Sequence, residues 1–147
     1  MKETNLIALR KDIECLLEYV PWLTKKRGSD VSQVYNENNL SASSVPFPVY
    51  DSTLLSFVNE ASASGLMDSN YVYVYSELGI RDVEGERQAI KNATVKDGAV
   101  LCGILSKYVM GGMRKGSIWT AGVNEGIFLD VLLKMKSLLE IWDAPLA

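Results

Sequence analysis

The sequence predicts a single all-α domain, and three observations carry that prediction. Phe128, Val131, Leu132, Met135, Leu138, Leu139 and Trp142 recur at alternating short and long steps near the C-terminus. This spacing puts them on one stripe of an α-helix, with Asp130, Lys134, Ser137 and Glu140 on the other side. Val100, Leu101, Ile104, Leu105, Tyr108 and Val109 repeat the pattern in a second stripe. The third observation is a set of helix-start residues, Asp51, Asp82 and Thr94, each standing just before an apolar-periodic run. The expected architecture is a compact bundle of five or six helices over residues 1–147, with one extended aromatic segment and a long polar loop.

Taken in order, a first helix starts after Thr4 or Asn5 and buries Leu6, Leu9, Ile13, Leu16, Leu17 and Val20. Pro21 is expected to stop it, since proline cannot donate into the helical ladder. Trp22 and Leu23 then tuck back onto the core. Residues 24–48 break the pattern, running from Lys25-Lys26-Arg27-Gly28 through Asn36-Glu-Asn-Asn39 to Pro46-Phe-Pro48 with no sustained period. A stretch of that kind reads as a mobile loop or a functional one. A second helix follows Asp51, presents Leu54, Leu55, Phe57, Val58 and Ala61, and ends at Gly65 as a left-handed C′ residue with Leu66 packing back.

Tyr71-Val-Tyr-Val-Tyr75 is dense in aromatic and β-branched residues, which favours extended backbone lying over the helices. Asp82 caps a short helix to about Lys91. Thr94, with Asp97 three residues on, caps the Leu-rich helix that Gly111-Gly112 ends. Ser117 caps a short turn carrying Ile118 and Trp119, and Asn124 caps the last helix.

Composition excludes more chemistry than any motif supplies. The chain has 147 residues, enough for one well-buried domain without metal or disulfide. Fifteen basic and eighteen acidic residues give a net charge of −3, which argues against a dedicated nucleic-acid binder. There is no histidine, so Ser-His-Asp and Cys-His catalysis and the usual imidazole metal sites are removed. Cys15 and Cys102 lie far apart and read as two reduced, buried small hydrophobes. The opening residues carry no signal-peptide pattern and no apolar run is long enough for a membrane span, so a cytoplasmic protein with no membrane partner is expected.

Three constellations compete with plain structural readings. Gly111-Gly-Met-Arg-Lys-Gly-Ser117 has the glycines of an anion-binding loop, but Lys115 precedes its last glycine and the segment follows a helix, so the Walker pattern fails. It reads as a flexible hinge, or as an anion site using Arg114, Lys115 and the Ser117 helix start. Tyr71, Tyr73 and Tyr75 point one way if extended, either covering the core or offering a stacking surface to a partner. Lys25-Lys26-Arg27 is too short a basic run to make a nucleic-acid site. Among carboxylates, Asp12 with Glu14 and Glu84 with Glu86 are two apart and share no helix face, while Glu14 and Glu18 share only a wet one.

Tyr50-Asp51 through Phe57-Val58, Ser64-Gly65-Leu66, Ser117-Ile-Trp119, Glu125-Gly126 and the helix containing Leu132 to Leu139 resemble a mostly bacterial family of domains of unknown function, number six-five-zero-eight. The resemblance spans residues 48–140, with a weaker echo in helix one. Met110 to Ser117 departs from the family's charged and aromatic run. The resemblance implies an all-α fold, no established activity, and the regulatory or phage and mobile-element setting common to such proteins.

These readings together predict a non-enzymatic interaction or regulatory module. Its contact surface is Tyr71, Tyr73 and Tyr75 with the hinge residues through Trp119, its partner another protein, and a homo-oligomer is left open. The first alternative is a binder or enzyme for a small anionic ligand at residues 111–119, and the second is weak nucleic-acid binding. No cofactor or metal is expected.

Overall fold

The computed structural model describes residues 5–29, 32–35 and 47–143, with side chains over 5–29 and 50–141. Thr4 as a cap, the Trp142 side chain as the end of the last stripe, and residues 36–46 therefore lie outside what is described. Among the described residues, eight α-helices follow one another: α1 Arg10–Leu17, α2 Val20–Lys26, α3 Ser52–Ser62, α4 Tyr71–Leu78, α5 Val83–Asn92, α6 Gly98–Arg114, α7 Ser117–Asn124 and α8 Ile127–Asp143. A single 3₁₀ turn, Val95–Asp97, leads into α6. The class is all-α, as expected.

The periodic stripes account for the core. α8 buries Phe128, Val131, Leu132, Met135, Leu138 and Leu139, and α6 buries Val100, Leu101, Ile104, Leu105, Tyr108 and Val109. Phe128 joins the layers: its ring packs edge-on against Phe57 of α3 at 4.9 Å and Tyr108 of α6 at 5.9 Å. The caps hold as well. Asp51 accepts from the Thr53 amide at 2.7 Å and Asp82 from the Gly85 amide at 2.8 Å, while Thr94 and Asp97 form a reciprocal capping box. That box caps the 3₁₀ turn, and α6 grows from it.

Several local expectations are corrected. Pro21 starts a helix instead of ending one: the chain turns at Glu18–Tyr19 and Pro21 occupies the first turn of α2, where its missing N–H leaves no helical bond unmade. Trp22 is part-buried against the core and Leu23 fully buried. The polar stretch 24–48 contains the end of α2 and an antiparallel pair, β1 Ser32–Tyr35 with β2 Phe47–Tyr50, in register from Ser32↔Tyr50 to Tyr35↔Phe47. Leu55 faces outward. Gly65 is not left-handed; its amide donates to Asp12 Oδ2 at 2.9 Å, so what it provides is close approach to α1. Cys15 is exposed and Cys102 buried, both free. Burial, aided by the Asp68 charge, pushes the Cys102 thiol up to about 12.

The largest correction concerns residues 71–75, which are helical, not extended. Gly79 ends α4 in the left-handed region at φ +67°, and the Ile80 amide reaches back to the Tyr75 carbonyl at 3.0 Å, a Schellman closure. Gly111 and Gly112 likewise lie inside α6, which continues to Arg114. Ser117 is the first residue of α7, preceded by Gly116 at the cap position. Asn124 closes α7, and the turn into α8 is made by Glu125 and Gly126, the latter at φ +74°. Arg27 packs over Gly126 and pairs with Asp130 at 3.3 Å, tying the end of α2 to the start of α8.

Candidate functional site

α4, α5 and α6 meet at a buried carboxylate. Glu86, on α5, is 1% exposed, and among the described residues it and Ser106 are the buried polar side chains. Tyr75 of α4 donates its hydroxyl to Glu86 Oε2 at 2.5 Å, and Tyr108 of α6 donates to Oε1 at 2.6 Å. Lys107 Nζ donates to Oε2 at 3.1 Å and lies over both phenol rings, 5.2 Å from the Tyr75 centroid and 4.6 Å from that of Tyr108. Burial, then the hydrogen bond to Glu86, then the Glu86 charge hold both phenols far above the usual tyrosine range. Each hydroxyl therefore keeps its proton and remains a donor. No buried side-chain polar atom among the described residues lacks a partner, so the cluster is electrostatically closed.

α4 reaches this cluster by running antiparallel to α6. The Asp68 amide donates to Ser106 Oγ at 2.8 Å, and Ser106 donates to the Cys102 carbonyl at 2.6 Å. Val74 is buried against Gly103, where a Cβ would lie 2.9 Å from Val74 Cγ2. With Val74 and Tyr75 turned inward, Val72 and Tyr73 face solvent, 66% and 57% exposed. Leu78, 46% exposed, stands at the lip of an open groove of about 390 Å³. Ile80, Ala89, Ala93 and Val100 give the groove an apolar surface, and Gln88 and Asn92 supply amides at its edge. A second, more open cleft of about 320 Å³ runs between α5 and α8, lined by Arg87, Lys91, Lys134, Asp130 and Leu133 among others. Its cations are engaged in part: Arg87 pairs with Glu125 at 3.0 Å, and Lys134 donates to the Lys91 carbonyl at 2.9 Å.

The residues singled out from the sequence are not brought together. Tyr71 and Tyr75 share the inner side of α4, and Tyr73 lies on the outer side. Arg114 stands about 16 Å along α6 from Gly103, the level at which α4 docks. Arg114, Lys115 and Ser117 are exposed. Trp119 is committed to packing: its Nε1 donates to the Val109 carbonyl at 2.8 Å, and its ring meets Tyr50 edge-on at 5.7 Å. The indole occupies the space where a Cβ at Gly112 would sit, and the Tyr50 phenol does the same at Gly116. These two glycines serve close packing at the α6–α7 corner.

Sequence reasoning passed over Glu86 while weighing carboxylates in pairs. The signal was present: Glu86 occupies a core position of the α5 stripe, between Val83 and Ile90 at helical spacing. Among the described residues, no helix is long and apolar enough to cross a membrane. No protein-family model, no curated protein and no solved structure matches this chain.

Proposed function

We propose that this chain is a non-enzymatic, cytoplasmic interaction module that binds another protein along α4. The carrying observation is the outward exposure of Val72 and Tyr73 on a helix whose inner residues are anchored, with Leu78 at the lip of the apolar groove. Val72 and Tyr73 lie on the outer side of α4, and Leu78, one turn on from Val74, brings a partner round the end of the helix to the groove. The groove volume suits an apolar side chain of that partner, and the Gln88 and Asn92 amides suit its backbone. The absence of histidine and the closure of Glu86 by three donors both support a binding role over a catalytic one. The resemblance to the bacterial domain-of-unknown-function family over residues 48–140 belongs to the same proposal. So does the regulatory setting it implies.

The test places a photoreactive residue at Tyr73 or at Asn92 in the native host and identifies the adducts by mass spectrometry. The reading expects one protein joined at both positions and lost when Leu78→Ser is introduced. Adducts to many proteins, adducts only to a second copy of this chain, or a pattern indifferent to Leu78→Ser would overturn it.

A further inference from the structure

α4 is a helix whose own residues argue against it. Tyr71 to Tyr75 are aromatic and β-branched, types that lose side-chain freedom against the preceding helical turn. Its cap residue, Asn70, makes no side-chain capping bond, and its first turn carries no acidic residue to oppose the helix dipole. At eight residues it is well short of the length at which isolated helices persist in water. Its helical state must therefore come from contacts beyond the segment.

Those contacts are close but converge on one element. α4 has its principal packing on α6, with only weak contact to other elements. Val74 sits in the notch left by Gly103, and Tyr75 binds Glu86. Asp68 on Ser106 tethers the approach, and Gly79 closes the far end. Removing α4 leaves Glu86 with Tyr108 and Lys107 as donors, so the remaining bundle does not inherit an unpaired buried carboxylate. α5, α6 and α8 also contact one another independently of α4.

We infer that α4 is a releasable helix: residues 71–79 leave and rejoin the bundle as one unit while α5, α6 and α8 stay folded, with Tyr75 on Glu86 and Val74 in the Gly103 notch as the latch. Release uncovers the Gly103 side of α6, a surface hidden in the closed state. Local opening of this kind is how a small fold presents a second surface without unfolding.

Native-state hydrogen exchange on the full chain tests this with two substitutions that act on different openings. Leu23, buried in α2, lies outside the released unit. Leu23→Ala should speed exchange of the α8 amides by at least about tenfold, because they exchange through global unfolding. It should leave the amides of residues 75–80 unchanged, because their opening does not break the Leu23 contacts. If Leu23→Ala prevents folding, Ile13→Val makes the same distinction more mildly. Tyr75→Phe should speed exchange at residues 75–80 by about tenfold, the size expected for losing a hydrogen bond to a charged group. The inference is overturned if the 75–80 amides accelerate in step with α8 in the core variant, since α4 would then open only with the whole protein. It is equally overturned if Tyr75→Phe leaves the 75–80 amides as slow as before.

Discussion

α8 packs against α1, α2, α5, α6 and α7, whereas α4 has its principal packing on α6 alone. α8 is built from leucine, methionine, lysine and glutamate at helical spacing, and its residues would favour a helix in many settings. α4 is built from alternating tyrosine and valine, and the same residues on a sheet edge would favour a strand. Each is a helix here, for opposite reasons. Local preference and tertiary contact agree in α8, so its loss is felt everywhere. In α4 they disagree, so its packing on a single neighbour decides its state.

Four experiments break or sharpen this contrast. Phe128→Ala should have the largest effect, destabilising the whole fold by about 3–5 kcal/mol, because it empties the point where α8 meets α3 and α6. Urea denaturation followed by circular dichroism should show one transition at a much lower midpoint. A biphasic curve would mean that α8 is not the common support.

Alkaline pH acts on the α4 side of the comparison. Tyr75 and Tyr108 are raised above the ordinary value of 10.0 in the folded state, so folding favours their protonated forms. Their contribution is fully present below about pH 10 and is lost as the pH rises toward their folded-state values. Denaturation between about pH 8 and pH 11 should show stability beginning to fall above about pH 9, where the buried Cys102 thiol contributes, and falling more steeply above about pH 10. Tyr75→Phe with Tyr108→Phe should lessen the steeper part of that fall and leave the share of Cys102 and Tyr19, and an unchanged slope above about pH 10 would remove the two phenols as contributors.

Gly112→Ala tests the α6–α7 corner. A flexible hinge would accept the methyl, and alanine inside a helix would even help it. The indole already occupies that space, so a loss of about 1–3 kcal/mol is expected, with a shift in tryptophan fluorescence as Trp119 is displaced. Neutral stability would restore the hinge reading. The smallest effect is expected from Val72→Ser with Tyr73→Ser, within about 0.5 kcal/mol, since neither side chain supports the fold. A loss like that of Phe128→Ala would show that the outer side of α4 is structural.

Legibility followed the range of the interactions. The α6 and α8 stripes, the Asp51 and Asp82 caps and the Thr94–Asp97 box were readable because each depends on residues a few positions apart. The glycines were misread where a distant side chain set their role. Gly112 looks like a helix stop until Trp119 is placed against it, and Gly65 looks like a left-handed cap until Asp12 accepts its amide. Proline was misread because its meaning depends on where the preceding helix has already ended. Of the candidate site, the exposure of Tyr73 was anticipated as one reading of the aromatic run. The inward turn of Tyr75 was the other reading, and what neither reading held is the split between the two, because only a helix puts Tyr73 and Tyr75 on different sides.

The sequence by itself determined an all-α fold, the two long apolar stripes, the caps at Asp51, Asp82 and Thr94, and the absence of imidazole chemistry. These follow from composition, periodicity and capping, whose physics is local. Tertiary structure alone decided that residues 71–78 are helical, that Glu86 is buried, and that the glycines at 103 and 112 are contact points. Glu86 lies 11 residues from Tyr75 and 22 from Tyr108 along the chain. Only folding brings three donors onto one carboxylate, and that arrangement, with Val74 in the Gly103 notch, holds as a helix a segment whose own residues favour a strand.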